Sequence, residues 1–139
     1  MVKNFAFLLM MTLLDGCGAG KLVGKVPVVE RESFATVHIA RPSGFIGCGV
    51  RTTIQIDHSD FYWLACGEHI LFRVPAGKAI VVSQITSMRP DHVAIQPEVG
   101  KEYFLENDCN QFACWLAESP AATFDGVAAR CPQTVKVGF

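Results

Sequence analysis

The reactive side chains of this sequence are four histidines, His38, His58, His69 and His92, and the cysteines Cys48, Cys66, Cys109, Cys114 and Cys131 that follow Cys17. Imidazole and thiolate together form the donor set of structural zinc, which needs four ligands in a tetrahedron, usually as two close pairs. Cys66-Gly67-Glu68-His69 has a C-x-x-H spacing, but it is the only close Cys/His pair, and Cys109 with Cys114 would have to supply the rest. The expectation is therefore no metal and no cofactor, with histidines on strand faces and turns. A redox-active thiol needs a helix N-terminus or a nearby cation to lower its pKa, and Asp108 beside Cys109 acts in the opposite sense. Gly44-x-x-Gly47 and Gly47-Cys48-Gly49 lack the helix and lysine of a phosphate loop, and there is no G-x-S-x-G elbow. Asp57 and Asp60 share a turn and Asp91 lies elsewhere, a common use of turn aspartates. The chain reads as no enzyme, with a small metal-dependent hydrolase as the alternative in that class.

The start of the chain carries an address. Lys3 and Asn4 precede an uncharged apolar run over residues 5–14, closed by Leu14-Asp15-Gly16-Cys17. A cationic start, a short apolar run and a small residue before the cut define a secretory signal. A helix of that run covers roughly 15 Å, about half the hydrocarbon core of a bilayer, which makes a poor span. The closing tetrad resembles the bacterial lipobox, although Asp15 stands where that pattern prefers a small or apolar residue. The resemblance implies that residues 1–16 are a signal peptide and that Cys17 is lipidated and becomes the mature N-terminus. A plain cleaved signal and an uncleaved anchor are the alternatives. Two or more acyl chains hold a protein stably where one holds marginally, at about 0.8 kcal/mol per buried methylene. Gly18 is not the Asp associated with inner-membrane retention, so the outer membrane facing the periplasm is favoured by analogy.

Composition agrees with export. The 139 residues include six cysteines, a pattern ordinary where disulfides persist. With Cys17 acylated, five remain, so at least one is unpaired within the chain. Their spacing does not choose among the many possible pairings. Cys109 and Cys114 flank an apparent strand-to-strand turn, and residues across a hairpin mouth approach closely enough to bridge, which makes them the favoured pair. A net charge of −1 without any basic run removes the footprint of nucleic-acid binding.

The elements that must position these groups are strands. Val37 and Ile39 alternate with Thr36 and His38; Val50, Thr52, Ile54 and Ile56 alternate with Arg51, Thr53, Gln55 and Asp57; and Ile70, Phe72 and Val74 alternate with His69, Leu71 and Arg73. Further runs follow over residues 79–86, 93–95, 103–106 and 112–118. Pro42-Ser43-Gly44, Asp57-His58-Ser59-Asp60, Pro75-Ala76-Gly77-Lys78, Arg89-Pro90-Asp91 and Glu98-Val99-Gly100-Lys101 separate them as turns. Short period-two runs divided this way argue a sandwich or barrel. Near the C-terminus, Ser119 as a cap and Pro120 at the first helical position predict one short helix. The expected architecture is all-β, a single antiparallel β-sandwich of seven or eight strands with a short C-terminal helix. Residues 17–33 read as lipidated cysteine and tether, 34–131 as the β-sandwich domain and 132–139 as a C-terminal tail.

Phe34-Ala35-Thr36-Val37-His38-Ile39-Ala40-Arg41-Pro42-Ser43-Gly44-Phe45, then Val50 with Ile54-Gln55-Ile56-Asp57, then Phe72-Arg73-Val74-Pro75-Ala76-Gly77-Lys78 and Val99-Gly100-Lys101-Glu102-Tyr103-Phe104 together resemble the bacterial domain of unknown function family number 2846. More distantly they resemble PEGA-type surface modules. The resemblance spans residues 34–131. It implies an exported β-sandwich, often a lipoprotein, and supplies no catalytic residue. Lys78 stands where that family commonly has His after the Pro-x-Gly turn, and the cysteines lie outside its pattern.

Phe61, Tyr62, Trp63 and Leu64 are the candidate binding patch. Strand parity puts Phe61 and Trp63 on one face and Tyr62 and Leu64 on the other; one face enters the core, and the other is either open as a patch or, the favoured reading, covered by the sandwich and the tether. Large aromatics favour interfaces. The functional expectation is an exported envelope lipoprotein acting as a non-enzymatic binding or accessory module. Its partners are the membrane, through the lipid anchor, and an envelope protein. A periplasmic inhibitor of a cell-wall hydrolase is the alternative among binding proteins.

Overall fold

The computed structural model describes residues 20–43, 48, 51–86, 90–110 and 112–139. The leader and Cys17 lie outside the described residues. In chain order the strands are β1 (Lys21–Leu22), β2 (Phe34–Arg41), β3 (Thr52–Ile56), β4 (Ser59–Leu64), β5 (Glu68–Pro75), β6 (Ile80–Ile85), β7 (Asp91–Ile95), β8 (Glu102–Cys109), β9 (Cys114–Glu118) and β10 (Gln133–Val137), with α1 (Ala121–Ala128) before the last. One sheet has the order β1-β4-β3-β6-β7 and the other β10-β5-β2-β8-β9.

Period-two alternation explains how the sheets meet. In β2 and β5, Ala35, Val37, Ile39, Ile70, Phe72 and Val74 are buried, while Thr36, His38, His69, Leu71 and Arg73 turn to the other face. Those inward residues share one core with Ile54, Phe61, Leu64, Ile80, Val82 and Ile95 of the first sheet. The Phe61 and Phe72 rings bridge the two layers at 4.8 Å between centroids. α1 lies on the outer face of the second sheet, where Phe124 and Val127 bury against Ala40 and Phe104.

The all-β expectation stands, and its strand count and pairing need correction. There are ten strands rather than seven or eight among the described residues, and the pairing is not wholly antiparallel. β2 runs parallel to β8, and β10 runs parallel to β5. A parallel pair requires a long crossover, and β2 reaches β8 only after the chain has passed through β3 to β7. The extra strands come from segments read as connectors. Within 17–33, β1 pairs antiparallel with β4 through Lys21↔Trp63 and Leu22↔Tyr62. Within 132–139, β10 pairs with five residues of β5, from Gln133↔Glu68 to Val137↔Phe72. Short strands completing a sheet edge have too little periodicity to be seen alone. Ser119 is not the helix cap either: Pro120 holds that position, and the Ser119 hydroxyl donates to Glu106 Oε1 at 3.1 Å.

β2, β4, β6 and β8 finish at one end of the sandwich, where β3, β5, β7, β9 and β10 begin. At this end the inward alternation continues with polar side chains: Arg41 follows Ile39, Thr52 precedes Ile54, Glu68 precedes Ile70, Gln84 follows Val82 and Asn107 follows Leu105. All five are buried. Arg41 donates to the Leu64 carbonyl at 2.9 Å, Gln84 to the Cys114 carbonyl at 3.3 Å and Asn107 to the Trp115 carbonyl at 3.0 Å. These bonds offset the desolvation of the groups that make them. The apolar core thus ends in a polar layer.

Candidate functional site

Residues 61–64 follow the covered reading rather than the open patch. Phe61, Tyr62 and Leu64 retain 1%, 3% and 3% of their exposure. The cause is a register shift: Ile54 pairs with Tyr62 and Gln55 with Asp60, leaving Phe61 as the unpaired residue of a bulge. A bulge breaks simple alternation, so consecutive Phe61 and Tyr62 both join the core. Trp63 alone stays half-buried on the outer face. Lys21 lies 5.9 Å and Arg51 4.3 Å from its ring centroid, in the geometry of a cation–π pair.

The outer face of the first sheet holds a groove of about 480 Å³ instead. Its floor is a cross-strand row, Gln55↔Ser83↔His92, built by the registers of β3 with β6 and β6 with β7. An amide, a hydroxyl and an imidazole therefore stand side by side, with Val81 and Ile85 adding apolar area and His58 closing one end. His58 sits there because Asp57 and His58 both take positive φ, 48° and 67°, as a two-residue type I′ hairpin turn requires. Asp91 also lines the groove, but its carboxylate is engaged by backbone: Oδ1 accepts from His92 N at 2.9 Å and Oδ2 from Leu116 N at 3.0 Å. It therefore orients the strand edge rather than the His92 ring. Such a row can hydrogen-bond a polar ligand against an apolar flank. Sequence reading singled out His58, His92 and Asp91 separately; the signal that joins two of the row's residues is their outward parity on adjacent strands.

The other two histidines form a second constellation, on the outer face of the second sheet beneath α1. His38 Nδ1 lies 3.0 Å from His69 Nε2, and His38 Nε2 lies 2.9 Å from Glu102 Oε1. With Glu102 ionised, the chain is satisfied when His38 donates to the carboxylate and accepts from His69. Phe104 stacks on His38 at 4.8 Å, and Phe124 meets the His69 ring edge-on at 5.2 Å. Burial lowers the His69 pKa from its ordinary value of 6.5, and the neighbouring His38 lowers it further. These histidines belong to a helix-covered network and not to a ligand set with Cys66. Among the described residues, no group of three or more His, Cys, Asp or Glu side chains is placed to hold a metal.

The cysteines resolve into two bridges. Cys109–Cys114 closes the β8–β9 hairpin, with Cα atoms 4.0 Å apart. The turn between them is fixed by Asn110, whose Oδ1 accepts the N–H groups of Phe112 and Ala113 at 2.8 Å each. Cys48–Cys66, which spacing alone did not select, joins the loop after β2 to the loop after β4. Cys131 is a free, buried thiol packed under α1, and burial raises its pKa. Both bridges lie at the polar end of the sandwich. No helix among the described residues is long and apolar enough to cross a membrane. No protein-family model, curated protein or solved structure matches this chain.

Proposed function

We propose that this chain is an exported cell-envelope lipoprotein, held to the membrane through Cys17, whose β body serves as a non-enzymatic binding or accessory module. The observation that carries the reading is the pair of bridges, Cys48–Cys66 and Cys109–Cys114, within one small β body. Such bonds persist in oxidising compartments and are rare in the cytosol. The apolar leader ending in Leu14-Asp15-Gly16-Cys17 names the route. Gly18 after the anchor favours the outer membrane's periplasmic leaflet.

The groove over Gln55, Ser83 and His92 is the surface we assign to ligand binding. Its polar row suits a partner offering hydrogen-bond donors and acceptors along one edge, such as a peptide or a glycan of the envelope. Growing cells fed an alkyne fatty acid test the anchor: label is expected on the wild-type chain and lost in Cys17→Ser, while equal label on that variant contradicts it. A photo-crosslinker placed at His92 tests the groove against one placed at Lys136. Capture at His92 that is lost in Gln55→Ala/Ser83→Ala supports the assignment; equal capture from both sites contradicts it.

A further inference from the structure

We infer that the polar end of the sandwich lies directly on the phospholipid surface, so that the anchor fixes the orientation of the body rather than merely tethering it. This rests on acylation of Cys17. Three peptide steps separate Cys17 from Gly20, a reach of about 10 Å at full extension. Gly20 is itself bound to the body. Its N–H donates to Glu68 Oε2 at 2.8 Å, and β1 continues at once along β4. A side chain at Gly20 would overlap the Glu68 carboxylate and the Trp63 carbonyl, so the segment is seated too closely for any residue with a Cβ. Beyond it, Val23 and Gly24 donate to the Phe61 carbonyl at 2.9 and 3.1 Å. A flexible spacer is therefore missing where it would be needed, and the end bearing Gly20 cannot leave the head-group region.

The surface at that end suits the position. Phe112, on the β8–β9 turn, is 75% exposed. Trp63, with Lys21 and Arg51 against its ring, stands beside the tether exit. Arg130 is exposed where α1 ends, its carbonyl held by the Ser43 hydroxyl at 3.1 Å. Exposed carboxylates gather at the opposite end instead: Glu30 and Glu32 before β2, Asp57 and Asp60 around the β3–β4 turn, and Glu98 and Glu102 around the start of β8. Exposed Arg31, Lys78 and Lys101 are interleaved with those carboxylates, so that end is mixed in sign, whereas the exposed charges at the polar end, Lys21, Arg51 and Arg130, are cationic. Aromatic rings favour the interface between water and acyl chains, and Lys and Arg pair with anionic head groups. The occupant of this surface is the bilayer that holds the acyl chains.

The test uses the full acylated chain carrying Trp115→Phe, which leaves Trp63 as the sole tryptophan. It is reconstituted in vesicles of phosphatidylethanolamine and phosphatidylglycerol whose acyl chains are brominated near the head group. Flotation first establishes whether the chain is on the vesicles. Among floated molecules, Trp63 is expected to lose most of its emission relative to unbrominated vesicles. Emission should return when a long Gly/Ser spacer is inserted after Gly18 or when Lys21, Arg51 and Arg130 are all changed to Glu. Floated protein with unquenched Trp63 overturns the orientation while leaving the anchor intact. Failure to float overturns the anchor, and the orientation with it.

Discussion

The carboxylate of Glu68, without solvent exposure, holds the backbone N–H of Gly20 at 2.8 Å across a separation of 48 residues. The same side chain accepts from Ala65 N at 3.3 Å. Together with burial, which acts first, it pushes the Tyr62 pKa upward. One buried acid thus ties the N-terminal segment, the β4–β5 loop and the core together. Glu68→Ala leaves these donors without their acceptor, at a cost of about 1–3 kcal/mol. Hydrogen exchange should show faster exchange at Gly20 and Ala65, spreading to Val23 and Gly24. Unchanged protection at Gly20 would show that the segment is held by other means.

Acid should loosen the cover over His38 and His69. Because the His69 pKa is lowered from 6.5 in the folded chain, the unfolded chain binds more protons between the two values. Stability is therefore full above about 6.5 and falls as pH drops through the folded value. Amide protection in α1, which covers the pair through Phe124, should fall over the same range. In His69→Gln the fall should flatten; an unaltered pH profile in that variant would place the titrating group elsewhere.

The cysteines should behave as three kinds. Alkylation of the native chain is expected to leave Cys48, Cys66, Cys109, Cys114 and Cys131 unmodified, and alkylation after unfolding without reductant should label Cys131 alone among them. Chain-entropy reasoning assigns about 3 kcal/mol to the Cys48–Cys66 bridge and about 2 kcal/mol to the shorter Cys109–Cys114 loop. Denaturant titration of the two double-serine variants checks that ranking. Labelling of any bridged cysteine before reduction would break the pairing.

The bulge at Phe61 separates side chains that strict alternation would place together. Phe61→Ala should cost about 3–5 kcal/mol, as large buried aromatics do, and should couple to Phe72 in a double-mutant cycle. Trp63→Ala removes cation–π contacts worth about 0.5–1 kcal/mol at an exposed site, so its cost should be much smaller. Equal losses at the two positions would contradict the shifted register.

Much of this fold is legible in the alternation of Ile54 with Thr53 and Gln55 and of Phe72 with Leu71 and Arg73, and the Cys109–Cys114 bridge follows from a hairpin that residues 103–118 announce. The misreadings share a cause. β1 and β10 add pairing to edges already formed, so their signal lies in the partner strand and not in their own few residues. The bulge at Phe61 changes parity by one residue, and nothing in Phe61-Tyr62-Trp63-Leu64 marks where the extra residue falls. The groove is a relation among Gln55, Ser83 and His92 on different strands, which register alone creates. Cys48 and Cys66 meet through loop geometry that period-two reading does not encode.

Mass spectrometry of the N-terminal peptide, taken from the chain purified out of the envelope, bears on the whole reading. A peptide that begins at Cys17 and carries diacylglycerol and amide-linked acyl mass is the expected result. A peptide that begins at Met1, or an unmodified Cys17 in a chain recovered from the cytosolic fraction, would contradict it.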